Sequence, residues 1–225
     1  MKKILILIAL LVSANVHAHM DHYKKYNKIE MDIFRNKKLI GYNNYFFTRE
    51  GDKTVVTNQI KFTVKVLGTI IFQVEGYGEE KYIGDQLVSY DSKTLQNDKE
   101  KFVSLVFDKN RNKFNIKGSS YSGEASSNII VGNWWSHKIL QTDSQISPIS
   151  GSLKKQVVTF IGKEKIEQYG KVYNVDHFTL KSKDMTLPKN KRLDFNIWYD
   201  PKTAQIIRVS YSRMGNWEYR LKNFE

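Results

Sequence analysis

The residue types most able to do chemistry gather in one polar stretch, GNWWSHKILQTDSQISPISGS, which spans residues 132–152. Within it His137 and Asp143 lie six positions apart, flanked by Ser136 and Ser144. Serine, histidine and carboxylate together suggest nucleophilic acyl transfer, in which an imidazole held by a carboxylate takes the serine proton. Such a set is defined by geometry, however, and the chain has no GxSxG elbow that would present a nucleophile. Carboxylate pairs are a second candidate chemistry. Glu79 with Glu80, and Glu164 with Glu167, are the types that serve as acid and base at a glycosidic bond. Their pattern reads more simply as charged strand faces and turns. A third candidate is copper at His19, whose imidazole would act with its amine if it became the new terminus, with His22, His137 or His177 as second ligand. Against it, HMDHYKKYNK reads as a polar leader, and His177 in YNVDHFTL sits in a strand. The reading therefore assigns no catalytic residue, no metal site and no cofactor.

The compartment is encoded ahead of that leader. MKKILILIALLVSANVHA places Lys2 and Lys3 before an apolar run from Ile4 to Val12, then Val16 and Ala18 at the small-residue positions of a cleavage site. The run falls short of the ~20 apolar residues that span a bilayer. Residues 1–18 are thus expected to be a signal peptide and 19–225 a single exported domain, periplasmic, with no transmembrane anchor. The chain has no cysteine, so disulfides and thiolate chemistry are excluded and a packed core must supply stability. Loss of Lys2 and Lys3 lowers the formal net charge from +13 to +11. In an exported protein with scattered lysines this points away from nucleic acid and toward a solvated basic surface, with weak contact to an anionic membrane surface as the partner it permits.

Those residues need a scaffold, and period-two alternation supplies it. Ile60, Phe62, Val64 and Val66 alternate with Lys61, Thr63 and Lys65; Leu193 to Tyr199 and Trp217 to Leu221 repeat the pattern. Turn signals fall at residues 35–37, 50–53, 108–112, 200–203 and 214–216. No stretch has the helical spacing that a βαβ unit requires. The expected fold class is all-β, an antiparallel meander curled into a barrel or half-barrel, with residues 19–27 a flexible leader.

Alternation fails from Gly118 to Gln156. GSSYSGEASSN suits a loop or weak edge strand, and the segment near 133–148 suits a short helix or loop with Asn133 as N-cap and Trp135, Ile139 and Leu140 on one face. Two roles fit it. It is either a plug whose tryptophans are core, or the rim of an apolar concavity in which Trp134 and Trp135 supply contact area, His137 and Gln145 direction, and Pro148 a fixed turn. The second role makes the protein a non-enzymatic binding or carrier module for a lipid or other amphipathic small molecule of the envelope. The first makes it a structural or partner-binding protein with a filled core.

Four stretches, taken in order, carry a resemblance: DIFRNKKLIG, VKVLGTIIFQVEGYGEEKYIGDQLVSYDSKT, NWWSHKILQTDSQISPISGSL and FNIWYDPKTAQIIRVSY. Their order is similar to that of an uncharacterised family of exported bacterial proteins, a domain of unknown function, over almost the whole mature chain. The pattern includes the polar run Gln145 to Pro148 and the strand end Trp198 to Asp200. The resemblance implies an exported, β-rich single domain similar to the curved half-barrels of lipoprotein carriers. It brings no reaction with it.

Overall fold

The computed structural model describes residues 19–225; the expected signal peptide lies outside the described residues. Eight strands form the first half: β1 (Lys28–Arg35), β2 (Lys38–Glu50), β3 (Lys53–Val66), β4 (Thr69–Ile83), β5 (Gln86–Gln96), β6 (Lys99–Asp108), β7 (Lys113–Gly118) and β8 (Ser122–Ser126). The second half comprises β9 (Ile130–Val131), β10 (Ser144–Ile146), β11 (Leu153–Gln168), β12 (Lys171–Ser182), β13 (Asp194–Asp200), β14 (Gln205–Ser212) and β15 (Asn216–Phe224). All fifteen belong to one sheet, in the order β8-β7-β6-β5-β4-β3-β2-β1-β15-β14-β13-β12-β11-β10-β9.

This order has a simple physical origin. Each hairpin pairs a strand with its sequence neighbour, which requires only a short turn. The first and last strands then pair at the centre of the sheet, Ile33 facing Tyr219. The two edges, β8 and β9, are not hydrogen-bonded to each other, so the ladder stays open. Only residues 127–129 join them, a link that reaches roughly 14 Å at full extension. The sheet therefore curls until its edges are close, forming a half-barrel. The expected all-β class holds, and GSSYSGEASSN proves to hold the exposed edge strand β8.

The inward face carries the alternating apolar positions. Ile33, Phe62, Val64, Val74 and Trp217 form one cluster, and Leu180, Ile197, Ile206 and Val209 meet Ile139 in another. The third and largest joins both halves of the sheet to Trp135 and Ile146 of the 129–152 segment.

Three sequence expectations need correction. One pair of strands is parallel, since Gln145 faces Ile130 and Ile146 faces Val131; the long connection between β9 and β10 allows the chain to cross over before pairing. Helical structure in that connection is a single 3₁₀ turn, His137–Leu140, whose N-cap is Ser136 and not Asn133. The Asn133 side chain is committed elsewhere, to a buried carboxylate. Finally, residues 19–27 are anchored and not a flexible leader. His19–Tyr23 forms a 3₁₀ turn, Tyr23 is 0% exposed, and Met20 and Tyr26 are also buried. Arg49 Nη2 holds the carbonyls of Tyr23 and Tyr26 at 2.7 and 2.5 Å, which polarity alone did not reveal.

Tyr23 stacks parallel to Phe47 and edge-on to Trp135, so it is part of the core it closes. Tyr23→Ala is expected to destabilise the fold by about 3–5 kcal/mol in urea denaturation, the range for deleting a buried aromatic. A mobile leader would leave the midpoint unchanged.

Candidate functional site

The site is built where the 129–152 segment lies across the inner face of the sheet. Its centre is Glu80, on the inward parity of β4 with Val74 and Tyr82. Glu80 Oε1 accepts from Asn133 Nδ2 at 2.6 Å and Trp135 Nε1 at 2.8 Å, and Oε2 from the Tyr82 hydroxyl at 2.5 Å. Burial raises the carboxyl pKa, and these three donors oppose the rise. One carboxylate thereby bonds the segment to the first half of the sheet.

Further bonds surround it. Tyr45 Oη accepts from the Trp134 amide at 3.1 Å and from Asn43 Nδ2 at 2.8 Å, and Asn58 Nδ2 donates to Asn43 Oδ1 at 2.7 Å. The Tyr90 hydroxyl and Ser92 Oγ both donate to the Pro148 carbonyl, at 2.9 and 2.7 Å. Tyr90 crosses the sheet directly over Gly78, where a Cβ would stand 2.9 Å from the phenol oxygen. At the far side Gln145 Nε2 donates to Gln156 Oε1 at 2.5 Å, while Gln156 Nε2 donates to the carbonyls of Ile139 and Thr142. At Gly132 a Cβ would fall 1.8 Å from Gln145 Oε1, so any larger residue would displace the buried Gln145 amide.

The five residues singled out from sequence are thus brought together along one segment, in unequal positions. Trp135 is 1% exposed and, like His137 and Gln145, faces packed protein. His137 Nδ1 lies 2.7 Å from the Tyr23 hydroxyl, and its amide donates to the same oxygen at 2.9 Å. Desolvation, helped by His22 and Lys138, lowers its pKa to about 4. Trp134 and Pro148 remain at a small cleft of about 90 Å³ shared with Asn43, Asn58, Ser92 and Tyr219.

The sequence candidates for catalysis are not assembled. Asp143 accepts from its neighbour Ser144, and His137 faces Tyr23. Glu79 points outward to Lys81 while Glu80 points inward, so the pair is split across the sheet. Of the other pair, Glu164 instead meets His177 at 2.7 Å and Trp198 Nε1 at 2.9 Å, with the His177 ring stacked on Trp198. His22 and His137 stand edge to face at 5.2 Å. Among the described residues no group of three His, Cys, Asp or Glu is placed to hold a metal ion.

Sequence similarity covers the same architecture. A model of a domain of unknown function, DUF6134, matches residues 31–222. The chain belongs to that family. Among solved structures, a beta-barrel-like protein of domain of unknown function DUF1849 from Brucella abortus aligns with a TM-score of 0.59 at 9% identity, over 88% of this chain and 96% of that one. A protein with YmcC-like fold from Bacteroides fragilis aligns at 0.37 and 9% identity, over 88% and 94%. The first of these shows that the half-barrel is a fold shared beyond the family. No curated protein matches the chain.

Two measurements test the geometry. Glu80→Gln retains Oε1 for Asn133 and Trp135, and its amide can donate to Tyr82, so it should stay within about 1 kcal/mol of wild type; Glu80→Ala strands buried donors and should cost on the order of 3 kcal/mol or more. Equilibrium denaturation at neutral pH separates the two. For His137 the folded pKa lies below the unfolded one, so the unfolded chain takes up the proton first and stability falls as pH drops from about 6.5 to about 4. His137→Asn keeps a polar group near Nδ1 without titrating. The wild-type protein should lose up to about 3 kcal/mol relative to it across that window.

Proposed function

We propose that this family member is an exported, periplasmic, non-enzymatic binding module that works with its interior filled, engaging partners at its surface. The observation that supports this reading most directly is the position of residues 129–152. They occupy the concavity that a lipid carrier would keep open, and their polar groups are spent on bonds to the sheet. The cleft left at Trp134 and Pro148, about 90 Å³, is well below the roughly 300–1,000 Å³ of ordinary ligand pockets. It suits a few ordered waters or one small polar group. The wider hollows, of about 440 and 460 Å³, are lined by outward residues such as Lys61, Glu75 and Tyr77, or Glu30 and Lys222.

A lipid-like ligand inside the half-barrel would require the segment to leave. That movement would expose Trp135 and Ile146 and leave Glu80 without two of its donors, which makes it costly. Among the described residues no helix is long and apolar enough to cross a membrane.

Native mass spectrometry of protein purified from its own envelope, followed by organic extraction, tests the reading. The expected result is the bare chain, with tryptophan emission unmoved by added fatty acid or lysophospholipid. An amphiphile recovered at one per chain, whose removal shifts that emission, would restore the carrier.

A further inference from the structure

The hairpin turns of the sheet follow a steric rule with one conspicuous exception. In two-residue hairpins the first turn residue adopts positive φ, which favours Gly and Asn. Those positions hold Asn36 (φ 49°), Gly51 (φ 59°), Gly84 (φ 54°) and Asn97 (φ 52°). Tyr169 (φ 51°) departs from the rule but has a structural reason, since its hydroxyl donates to Asp32 at 2.6 Å. Leu67 (φ 48°), at the tip of β3 and β4, has none: the residue is fully exposed.

The tip that carries Leu67 stands clear of the sheet. The last β2–β3 pair is Gly41 with Phe62 and the last β4–β5 pair is Val74 with Gln96; Gln73 still exchanges bonds with Asn97, and Val64 is still buried in the cluster of Trp217, so the free tip is residues 65–71. Val66 therefore lies roughly 7 Å beyond Val64, the last buried residue of β3. Every residue from Lys65 to Ile71 is exposed, including Val66, Ile70 and Ile71, about half exposed each. An apolar prong of this kind is the sort of exposed strand end that proteins normally avoid.

Its neighbours at the same end of the sheet share the character. The β14–β15 turn presents Met214, also at positive φ (50°) and 85% exposed, and Arg35 bonds the Met214 carbonyl. The 183–193 connection presents exposed Met185 and is tied to that turn by Arg213 to the Arg192 carbonyl at 3.1 Å. Around these apolar tips stand exposed Lys37, Lys38, Lys65, Lys99, Lys189 and Lys191, against the acidic Asp98, Glu100, Asp184 and Asp194.

We infer that this end of the half-barrel, led by the Leu67 hairpin tip, docks on an anionic phospholipid surface. Separate apolar tips set among lysines match a fluid boundary of acyl chains beneath negative headgroups, where each tip can enter independently and each lysine stem can lie along it. A shaped protein partner would call instead for a continuous packed patch. This contact accounts for the exposed apolar side chains of Leu67 and Met214, which the bonds holding the turn backbone do not call for. The inference specifies a partner for the surface-binding reading above, but it does not need a filled interior.

The test uses protein expressed from the full sequence, with vesicles of phosphatidylglycerol and phosphatidylethanolamine or of phosphatidylcholine alone. Wild type should sediment with the anionic vesicles and be released by salt. Leu67→Asn should weaken partition at least about tenfold while its thermal midpoint stays equal or rises, because Asn suits the turn better than Leu. Lys65→Glu should weaken partition without that rise. Failure of wild type to bind anionic vesicles, undiminished binding by Leu67→Asn, or tip-dependent self-association without vesicle binding would each overturn the inference. None of these outcomes depends on whether a ligand is recovered from the interior.

Discussion

A wide sheet with one apolar face must bury that face or lose its stability, and most of this structure follows from how it does so. Central pairing of β1 with β15 sends both halves outward until β8 and β9 approach each other without bonding. The curled inner surface is then too broad for its own side chains to fill. The same short stretch that joins the two edges continues into the segment that covers the gap, so closure and filling are one event in the chain. The N-terminal turn completes the cover, placing Tyr23 against Phe47, Trp135 and His137.

The means of attachment matter as much as the fact of it. Apolar contact alone would hold the segment at any of several depths, whereas Glu80, Tyr45, Tyr90 and Ser92 each bond one particular group of it. Buried polar groups add modest net stability, yet leaving them unpaired is expensive. Their effect is therefore to penalise every position of the segment but one.

Much of this was legible in the sequence, by identifiable signals. Alternation in β3, β13 and β15 gave the all-β class, and the turn signals marked five of the connections between consecutive strands. Loss of alternation marked the covering segment. What period two also offered was the inward parity of Glu80, two positions from Tyr82 and six from Val74, but its charge and its neighbour Glu79 favoured an exposed reading. Tyr23 and Tyr26 are held by Arg49 and by the carbonyls of Ala204 and Thr203, all remote in sequence, so no local pattern could announce their burial. Likewise Gln145 reads as a loop polar residue until β11 brings Gln156 alongside. Such pairings are properties of topology, and the topology here turns on one crossover that alternation does not encode.

The two ends of the sheet also differ in a way that folding does not require. Turns at one end use Gly51–Asp52, Gly84–Asp85 and the Asp200-capped loop, in which Asp200 accepts from the Lys202 amide and from Thr203 Oγ1. These are polar choices that keep hairpins in register and in water, and where this end departs from Gly and Asn at positive φ the side chain is committed, Tyr169 to Asp32 and Ala204 by burial. The opposite end uses Asn36 and Asn97 in two of its turns, but at Leu67 and Met214 it places largely exposed apolar side chains at positive φ. A sequence constrained only to fold would exchange such residues for Asn or Gly at no loss, since the turn alone reads them. Their presence on the free tip of the β3–β4 hairpin and on the neighbouring turn is the feature of that end on which the inferred surface contact rests.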